Sequence, residues 1–487
     1  MTTAPDSTST VDRAVGGTYP RRWQALALLA IAQFVVILDA SIVNIALPDI
    51  GRGLGMQPSG LSWVIDAYLL TFGGLLLLGG RAADLLGRRA VFLGGLLAFS
   101  AASLADGLAP SGGALITFRA IQGAAAAAMS PAALSIVTTM FGPGPDRARA
   151  LGVWGAVAGS GSAAGVLLGG VLTSAFGWPA IFFINVPIGI VAAALTPRLI
   201  PAIRPAAGGT RRVDIPGAVL VTAGMAAVVY GLISGADAGW TATRTLVALS
   251  AGLVLLAVFV LVEHRSRYPL MPLRIFSLRT VSSANAVMIL TGAAVVSLFF
   301  FLSLYMQQVL GYTPLAAGLT QLPLAITLVG AAGVAPMLIG VIGRRGTLAA
   351  GLVVVAGGLG WLTLVPVDGT FAGAILGPSL LVGLGLGLAF VPVNAIAVAD
   401  VDSRDMGLAS GLINTTQQVG GALGLAVASA LATATTTPLL AHATSGTARL
   451  AALTSGYQAG FAASAAFAAI AALVTILTVP SDRKQDG

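Results

Sequence analysis

The sequence contains no cysteine, two histidines and a single lysine, Lys484, among its 487 residues. Without cysteine there is no disulfide framework, thiol nucleophile or thiolate metal site. His264 and His442 both fall in predicted loops, which leaves little for a metal cluster. The sequence also lacks an acidic metal-binding cluster, a nucleophile–base pair and a Gly-Lys-Ser/Thr phosphate motif. These absences argue against an enzyme and against a bound metal or organic cofactor.

Charge is scarce as well: 9% of the residues are charged, whereas 57% are hydrophobic and the mean hydropathy is +0.94. Together with 63 glycines, this composition is typical of a polytopic helical membrane protein. The net charge of +8 does not indicate nucleic-acid binding. Its basic residues lie in short clusters between apolar runs, where they orient a membrane protein instead.

Apolar runs of about 18–27 residues recur along the chain, each long enough to cross the ~30 Å hydrocarbon core. We predict an all-α membrane protein with fourteen transmembrane helices. The weakest boundary is the one between the fifth and sixth helices, where only Phe176 and Gly177 mark a turn. The predicted spans are 23–47, 61–79, 90–108, 114–138, 150–175, 178–196, 214–235, 244–262, 283–309, 314–342, 347–365, 371–398, 407–432 and 457–479.

The distribution of basic residues predicts the orientation. An even number of spans places both termini on one side of the membrane. If that side is the cytoplasm, the outer loops hold only Arg52, Arg244 and Arg449 of the 25 basic residues, and Arg119 lies within a span. The preference for arginine over lysine, with abundant alanine and glycine, is typical of a GC-rich bacterial genome. We therefore expect a multi-pass protein of the bacterial cytoplasmic membrane, with cytoplasmic termini.

The chain contains an internal repeat. A shift of 256 residues aligns residues 55–58 with 311–314 and residues 87–89 with 343–345, without a gap. Both copies end on the same predicted side, so the repeat is parallel. Parallel repeats characterise a large class of transporters in which the substrate site lies between the halves.

The repeat predicts the division of the chain. Six helices per half leave two extra helices between the halves, flanked by basic linkers. The predicted division is a cytoplasmic tail at 1–22, an N-terminal half at 23–196, linkers with two extra helices at 197–282, a C-terminal half at 283–479 and a short tail at 480–487.

Three charged residues stand out within the predicted spans: Asp39, Asp66 and Arg119. A charge at the centre of a membrane helix costs about 2.5–3.5 kcal/mol on insertion scales, so such residues commonly serve a function. All three are placed roughly 8–14 Å from the outer ends of their helices, in the same half of the membrane. Asp39 can lose or take up a proton whereas Arg119 cannot, so a pairing of the two could link proton binding to conformation. A static buried ion pair is the alternative.

Asp66 has other possible roles. It lies on one helix face with Gly73 and Gly80 and is expected to face a cavity. A carboxylate there, with Trp63 and Tyr68 nearby, suits a cationic lipophilic substrate. A second proton site and a purely structural role are the alternatives.

Four segments carry recognisable motifs: residues 38–48 (LDASIVNIALP), 80–89 (GRAADLLGRR), 118–123 (FRAIQG) and 177–189, which contains IFFINVPIG. In combination they resemble the fourteen-helix drug:proton antiporters of the major facilitator superfamily, over essentially the whole chain. The resemblance implies that fold, with two six-helix halves and two extra helices. It implies proton coupling through Asp39 and Arg119, with protons as the coupling ion.

The second motif predicts a short cytoplasmic turn formed by Gly80, Asp84, Gly87, Arg88 and Arg89. The resemblance implies that this turn latches the inner gate. The positive-inside rule alone accounts for Arg88 and Arg89 but not for Asp84.

Two helices carry small-residue faces. In the fifth, Gly161, Gly165, Gly169 and Gly170 favour close helix packing, while Val166 stands where the family motif has proline. This departure leaves a helix kink in doubt. In the thirteenth, one face predicts either tight packing or a cavity lined by Asn414 and Gln417. That face consists of Gly407, Ser410, Asn414, Gln417, Gly421 and Gly424.

The leading functional hypothesis is a monomeric proton-coupled antiporter that exports a small lipophilic compound, with cationic compounds among the candidates. Protons, membrane lipids and that substrate are its expected partners. A transporter dedicated to one endogenous metabolite or natural product is the alternative. A membrane-embedded enzyme is the less favoured third class.

Overall fold

The computed structural model describes residues 21–142, 144–202, 214–266, 269–402 and 405–481. Helices make up nearly all of these residues, and no strand occurs among them. The predicted all-α membrane fold is confirmed. The predictions for the tail at 1–20, for the basic linker at 203–213 and for residues 482–487 concern segments outside the described residues.

Fourteen helical spans follow one another along the described chain. Their bounds are α1 Arg22–Leu54, α2 Pro58–Leu86, α3 Arg88–Gly107, α4 Gly112–Met140, α5 Pro145–Phe176, α6 Ala180–Leu199, α7 Ile215–Ala238, α8 Thr243–Arg265, α9 Arg279–Val309, α10 314–342, α11 344–362, α12 Phe371–Ala397, α13 Met406–Ala441 and α14 Gly446–Thr478.

By length and composition, twelve helices among the described residues could cross a membrane. One of them is the continuous 49-residue stretch Pro314–Leu362, which would extend roughly 74 Å as one straight helix. Gly343 breaks it with a non-helical backbone (φ 75°, ψ 168°), so it forms α10 and α11. Helix α5, Pro145–Phe176, is also long enough to span a membrane, and Ala163–Phe176 is its apolar part. Counting α5, and counting α10 and α11 separately, gives fourteen helices in the same order as the fourteen predicted spans.

Several helices are longer than the predicted spans. Helix α1 continues through Pro48 to Leu54 instead of ending at Leu47, and α14 begins at Gly446 instead of residue 457. Hydropathy detects only the apolar part of a helix, whereas backbone hydrogen bonding continues into the polar ends. These bounds were therefore underestimated.

The backbone repeats as the sequence does. Gly55 and Gly311, which are 256 residues apart, both adopt positive φ (62° and 69°), as do Gly87 and Gly343 (100° and 75°). Glycine is favoured in this region because a Cβ atom would clash with the backbone. The same two turns therefore bound α2 in the first half and α10 in the second.

A side-chain contact also repeats. Arg89 Nη1 donates a hydrogen bond to the carbonyl oxygen of Ile200 at 3.1 Å, at the end of α6. Arg345, its counterpart, donates to the carbonyl of Ile476 at the end of α14. Carbonyl groups at a helix C-terminus lack intrahelical partners and carry partial negative charge, so a guanidinium stabilises them. In each half, the arginine that follows the positive-φ glycine therefore bonds the C-terminal end of that half's last helix.

We call the side that carries Arg22 the terminal side, and the opposite side, which carries Gly55, the distal side. The two halves join at their distal ends. Ser303 Oγ donates to the carbonyl of Asn44 at 2.6 Å, and Gln307 Nε2 donates to the carbonyl of Ile45 at 2.9 Å. These bonds link α9 of the second half to α1 of the first.

The extra helix α7 lies against both halves, because it packs on α2 and on α13. A Cβ atom on Gly74 of α2 would lie 2.3 Å from Thr222 Oγ1 of α7, so the two backbones approach closely. Helix α8 packs on α7 and keeps an exposed apolar surface that includes Leu253 and Val254. The pair therefore lies over the seam between the halves, with α8 outermost.

Candidate functional site

A buried ion pair occupies the core of the first half. Arg119 Nη1 of α4 lies 2.5 Å from Asp39 Oδ2 of α1. The exposed fractions are 1% for the Arg119 side chain and 0% for Asp39. The two residues that the sequence placed at a common depth therefore meet.

Amide side chains complete the bonding of the Asp39 carboxylate. Its Oδ1 atom accepts hydrogen bonds from Gln122 Nε2 at 2.9 Å and from Asn185 Nδ2 at 2.8 Å. The same two amides also donate to Ser103 Oγ, at 2.7 Å and 3.3 Å. Helices α1, α3, α4 and α6 thus share one network with the Asp39 carboxyl group at its centre.

The guanidinium of Arg119 has further partners. Its Nε donates to the carbonyl of Val64 at 3.1 Å, and its Nη1 also donates to Gln122 Oε1. The guanidinium carbon lies 4.4 Å from the ring centroid of Tyr68 and 5.8 Å from that of Phe182. These cation–π contacts hold the charge in an apolar enclosure.

Gln122, Asn185 and Ser103 were not predicted as members of this site. Gln122 and Asn185 lie inside two of the sequence motifs, and Gln122 is three residues after Arg119, on the same helix face. That spacing was a usable signal for Gln122. Asn185 lies on α6 and Ser103 on α3. Both are far from Asp39 along the chain, so residue spacing within one helix could not predict their contacts.

Asp106 of α3 was also missed, although it falls within the predicted span 90–108. Its side chain is 0% exposed, and neither carboxylate oxygen has a hydrogen-bond partner among the described residues. A charge inside a span was therefore visible in the sequence. It lies two residues before the predicted end of that span.

Asp66 stands apart from the ion pair. It is 0% exposed, and both of its oxygens lack a hydrogen-bond partner among the described residues. Gly73, one heptad away on the same face, packs on Gln418 of α13, and Leu69 contacts Gly421. The Asp66 face of α2 is therefore turned towards α13, at the junction of the halves, and not towards an open cavity as we expected.

The aromatic neighbours predicted for Asp66 do not converge on it. The Trp63 ring pairs with Tyr230 of α7, with the centroids 6.5 Å apart, while Tyr68 stacks on Arg119. Trp63, three residues before Asp66, shares its helix face, whereas Tyr68, two residues after it, points to the opposite side, so one substrate cannot contact all three from a single side.

The predicted cytoplasmic turn is much shorter than expected. Gly80 and Asp84 lie inside α2, and Gly87 alone separates α2 from α3. Arg88 forms an ion pair with Asp84 at 3.5 Å and donates to Thr139 of α4. The positive φ of Gly87 allows the chain to reverse without a longer loop.

The α5 glycines contact two different helices. Cβ atoms on Gly161, Gly165 and Gly169 would lie 2.7–3.0 Å from atoms of α1. A Cβ atom on Gly170 would lie 2.6 Å from the carbonyl oxygen of Pro314, in the opposite half. Helix α5 runs without interruption from Pro145 to Phe176, past Val166.

The small-residue face of α13 divides along its length. Towards the distal end, Gly424 approaches Ala293 of α9, and the backbone of Gln417 packs on Gly292. Towards the terminal end, Asn414 is exposed and its Nδ2 bonds only the carbonyl of Ser410 on its own helix, at 2.9 Å. This face of α13 therefore packs closely on α9 towards the distal end and is exposed at Asn414 towards the terminal end.

Comparison with known proteins places this chain in a family. Residues 29–425 match the family model described as Major Facilitator Superfamily. The chain is 44% identical over 405 residues to the cephamycin export protein of Amycolatopsis lactamdurans, with 83% of each chain covered. It is 39% identical over 453 residues to the puromycin resistance protein of Streptomyces alboniger, covering 92% of this chain and 90% of the relative.

Among solved structures, a bacterial homologue of the human lysosomal transporter Spinster, crystallised in an inward-facing conformation, is similar in fold. The TM-score is 0.70 at 17% identity, and the alignment covers 95% of this chain and 98% of that one. A D-xylose–proton symporter is similar with a TM-score of 0.65 at 13% identity, covering 95% and 98%. The chain is therefore not an enzyme but a multi-pass transporter of small molecules, and it belongs to the major facilitator superfamily.

Proposed function

We propose that the protein is a proton-coupled antiporter that exports a lipophilic antibiotic-like compound across the bacterial cytoplasmic membrane. Protons act as the coupling ion, and the termini lie in the cytoplasm. The observation that carries the proposal is the buried Asp39–Arg119 pair.

The cost of this ion pair supports a functional role. Taking two charges out of water carries a desolvation penalty of several kcal/mol per ion, which their attraction only roughly repays. Apolar side chains of similar volume would serve packing as well. Retention of a fully buried Asp39–Arg119 pair is therefore better explained by a change in its charge during transport than by stability.

Protonation is the change that the pair permits. Arg119 keeps its charge at any physiological pH, whereas Asp39 can become neutral. A neutral Asp39 loses its charge attraction to the guanidinium, which weakens the ion pair between α1 and α4. Gln122 and Asn185 donate their N–H groups to the same carboxylate, so a change in its charge also reaches α4 and α6.

One proton supplies enough energy for useful export. A charge that crosses a potential of 100 mV is worth about 2.3 kcal/mol. Since 1.4 kcal/mol corresponds to a factor of ten, one proton sustains a gradient of roughly fifty-fold for an uncharged substrate, while export of a monovalent cation draws on the pH gradient instead. The joined distal ends of the halves fit a state that is closed towards the outside.

The relatives indicate the substrate class. The cephamycin export and puromycin resistance proteins are named for antibiotics of different chemistry. Two apolar half-bundles, with Asp66 buried at their junction, suit a lipophilic compound, and a cationic one if Asp66 is ionised in the substrate-bound state. We therefore place a multidrug range first. Because both relatives are named for one compound, a dedicated natural-product exporter is the second candidate.

Everted membrane vesicles test the proposal, with puromycin as the probe. Wild-type vesicles should accumulate radiolabelled puromycin when the lumen is acidified, and an uncoupler should abolish the accumulation. Accumulation that persists with the uncoupler would rule out proton coupling. Parallel measurements with ethidium and a cephamycin separate the two candidates, since only a multidrug exporter should transport more than one of these probes.

A further inference from the structure

Asp106 is a buried carboxyl group that the proposed ion pair does not use. Its exposed fraction is 0% and its oxygens have no hydrogen-bond partner among the described residues. A buried carboxyl group normally pairs or forms hydrogen bonds, because burying it ionised without them is very costly. It lies one residue before the end of α3, and Leu108, two residues on, is exposed.

The register of α3 and α4 places Asp106 level with Arg119. The two helices are antiparallel neighbours, and Ser103 of α3 bonds Gln122 of α4 at 2.7 Å. One turn further towards the distal side, Asp106 follows Ser103 by three residues and Arg119 precedes Gln122 by three. Residues three apart share a helix face, so Asp106 faces Arg119.

The charges around Asp106 are few. Arg119 of α4 and Asp39 of α1 both lie within electrostatic range of it. Tyr68 of α2 stacks on Arg119, and the ring of Phe183 from α6 packs against Gly107, the residue after Asp106. A single cation is thus close to two carboxyl groups, one bonded to it and one not.

We propose that Asp106 is a second proton-carrying group of the coupling centre, which passes its proton to Asp39 while Arg119 changes partner. This inference rests on the proposed proton coupling. In the starting state Asp39 is ionised and paired with Arg119, and Asp106 holds a proton. In the second state the proton resides on Asp39, and ionised Asp106 pairs with Arg119.

The exchange keeps the buried charge constant. One carboxylate and one guanidinium are present before and after it, so no unpaired ion has to be desolvated. As Asp39 releases its proton towards the terminal side, a proton from the distal side restores neutral Asp106. The position of Asp106 near the distal end of α3 gives this second step a short path.

The test compares two puromycin assays in vesicles: uptake driven by a proton gradient, and gradient-free exchange of labelled for unlabelled drug. Asp106→Asn removes the titratable group at constant shape. Gradient-driven uptake should fall by roughly ten-fold or more, whereas exchange should stay close to wild type. Asp106→Glu should keep gradient-driven uptake with a shifted pH profile. Asp49→Asn is the matched control at the distal end of α1, where Asp49 pairs with Arg52.

Each result has a defined meaning. Wild-type gradient-driven uptake in Asp106→Asn overturns the inference, and so does an equal loss of uptake and exchange that Asp106→Glu does not relieve, because that is a packing defect. If Asp106→Asn does not reach the membrane, the Asp106→Glu pH profile decides, and an unchanged profile overturns the inference. Uncoupler-insensitive uptake by the wild type removes the proposed function itself.

Discussion

Arg119 Nη1 and Asp39 Oδ2 lie 2.5 Å apart between α4 and α1, and neither side chain is more than 1% exposed. The guanidinium is enclosed by the Tyr68 and Phe182 rings, and the carboxylate by two amides. In the proposed mechanism this pair alternates between the bonded arrangement and one in which Asp39 carries a proton. Proton coupling needs a group of that kind.

Asp39→Asn should abolish gradient-driven puromycin uptake. Asparagine keeps the shape of the side chain and one of the two acceptor oxygens, which can serve either Asn185 or Arg119, so the protein should still insert. It cannot exchange a proton, so the gradient no longer drives transport. Uptake in everted vesicles, normalised to membrane abundance, measures the effect, with Asp49→Asn as the control. Full coupled uptake in Asp39→Asn would contradict the proposed mechanism.

Arg119→Ala should also abolish coupled uptake, and should destabilise the protein as well. Removing one partner leaves a buried charge without compensation, which costs about 3–5 kcal/mol. Adding Asp39→Asn to Arg119→Ala removes that charge. The double variant should recover part of the lost thermal unfolding midpoint of the purified protein, but it should not recover transport. A double variant less stable than Arg119→Ala alone would show that packing, not charge, dominates at this site.

Asp66→Asn should mainly change the substrate range. If the carboxylate recognises a cation at the junction of α2 and α13, monovalent cations such as ethidium lose a favourable contact, whereas neutral substrates do not. The ratio of ethidium to neutral-substrate efflux measures this in whole cells. An unchanged ratio with full efflux would reject cation recognition, and loss of all coupled efflux would favour a second proton site.

Gly165→Ala should lower stability while Gly155→Ala should not. A Cβ atom on Gly165 would lie 2.7 Å from Ser41 Cβ and 2.9 Å from the carbonyl oxygen of Leu38, so α1 and α5 would have to separate. Overpacking of this kind costs about 1–3 kcal/mol. Gly155, in the same helix, has nothing within 4 Å of its Cβ position. Thermal unfolding of the purified variants in detergent compares them, and equal midpoints would contradict close α1–α5 packing.

Much of the fold was predictable because two strong constraints act on a membrane chain. The thickness of the bilayer sets span length, and positive loop charge sets alternation, so fourteen spans followed from hydropathy and arginine positions. The repeat at Gly87 and Gly343 was visible because only glycine tolerates that backbone. Helix ends such as Leu54 and Gly446 were not predictable, because polar turns continue a helix without an apolar signal.

Members of the site could be predicted only where a single residue was unusual by itself, as a charge within an apolar helix is. Asp39 and Arg119 stand out as charges in apolar helices, and a common depth brings them together. The direction of a side chain depends on which helices become neighbours, so Tyr68 was assigned to Asp66 although it stacks on Arg119. Asn185 reaches Asp39 across 146 residues of chain, a contact that spacing cannot reveal.

Proton movement against drug movement is the most direct measurement of the central claim. Purified protein is reconstituted into liposomes that contain a pH-sensitive dye, and a puromycin gradient is imposed without a pH gradient. Wild-type protein should move protons in the direction opposite to puromycin, and Asp39→Asn should show no drug-dependent pH change. Puromycin flux through the wild-type protein without any pH change would contradict proton-coupled antiport.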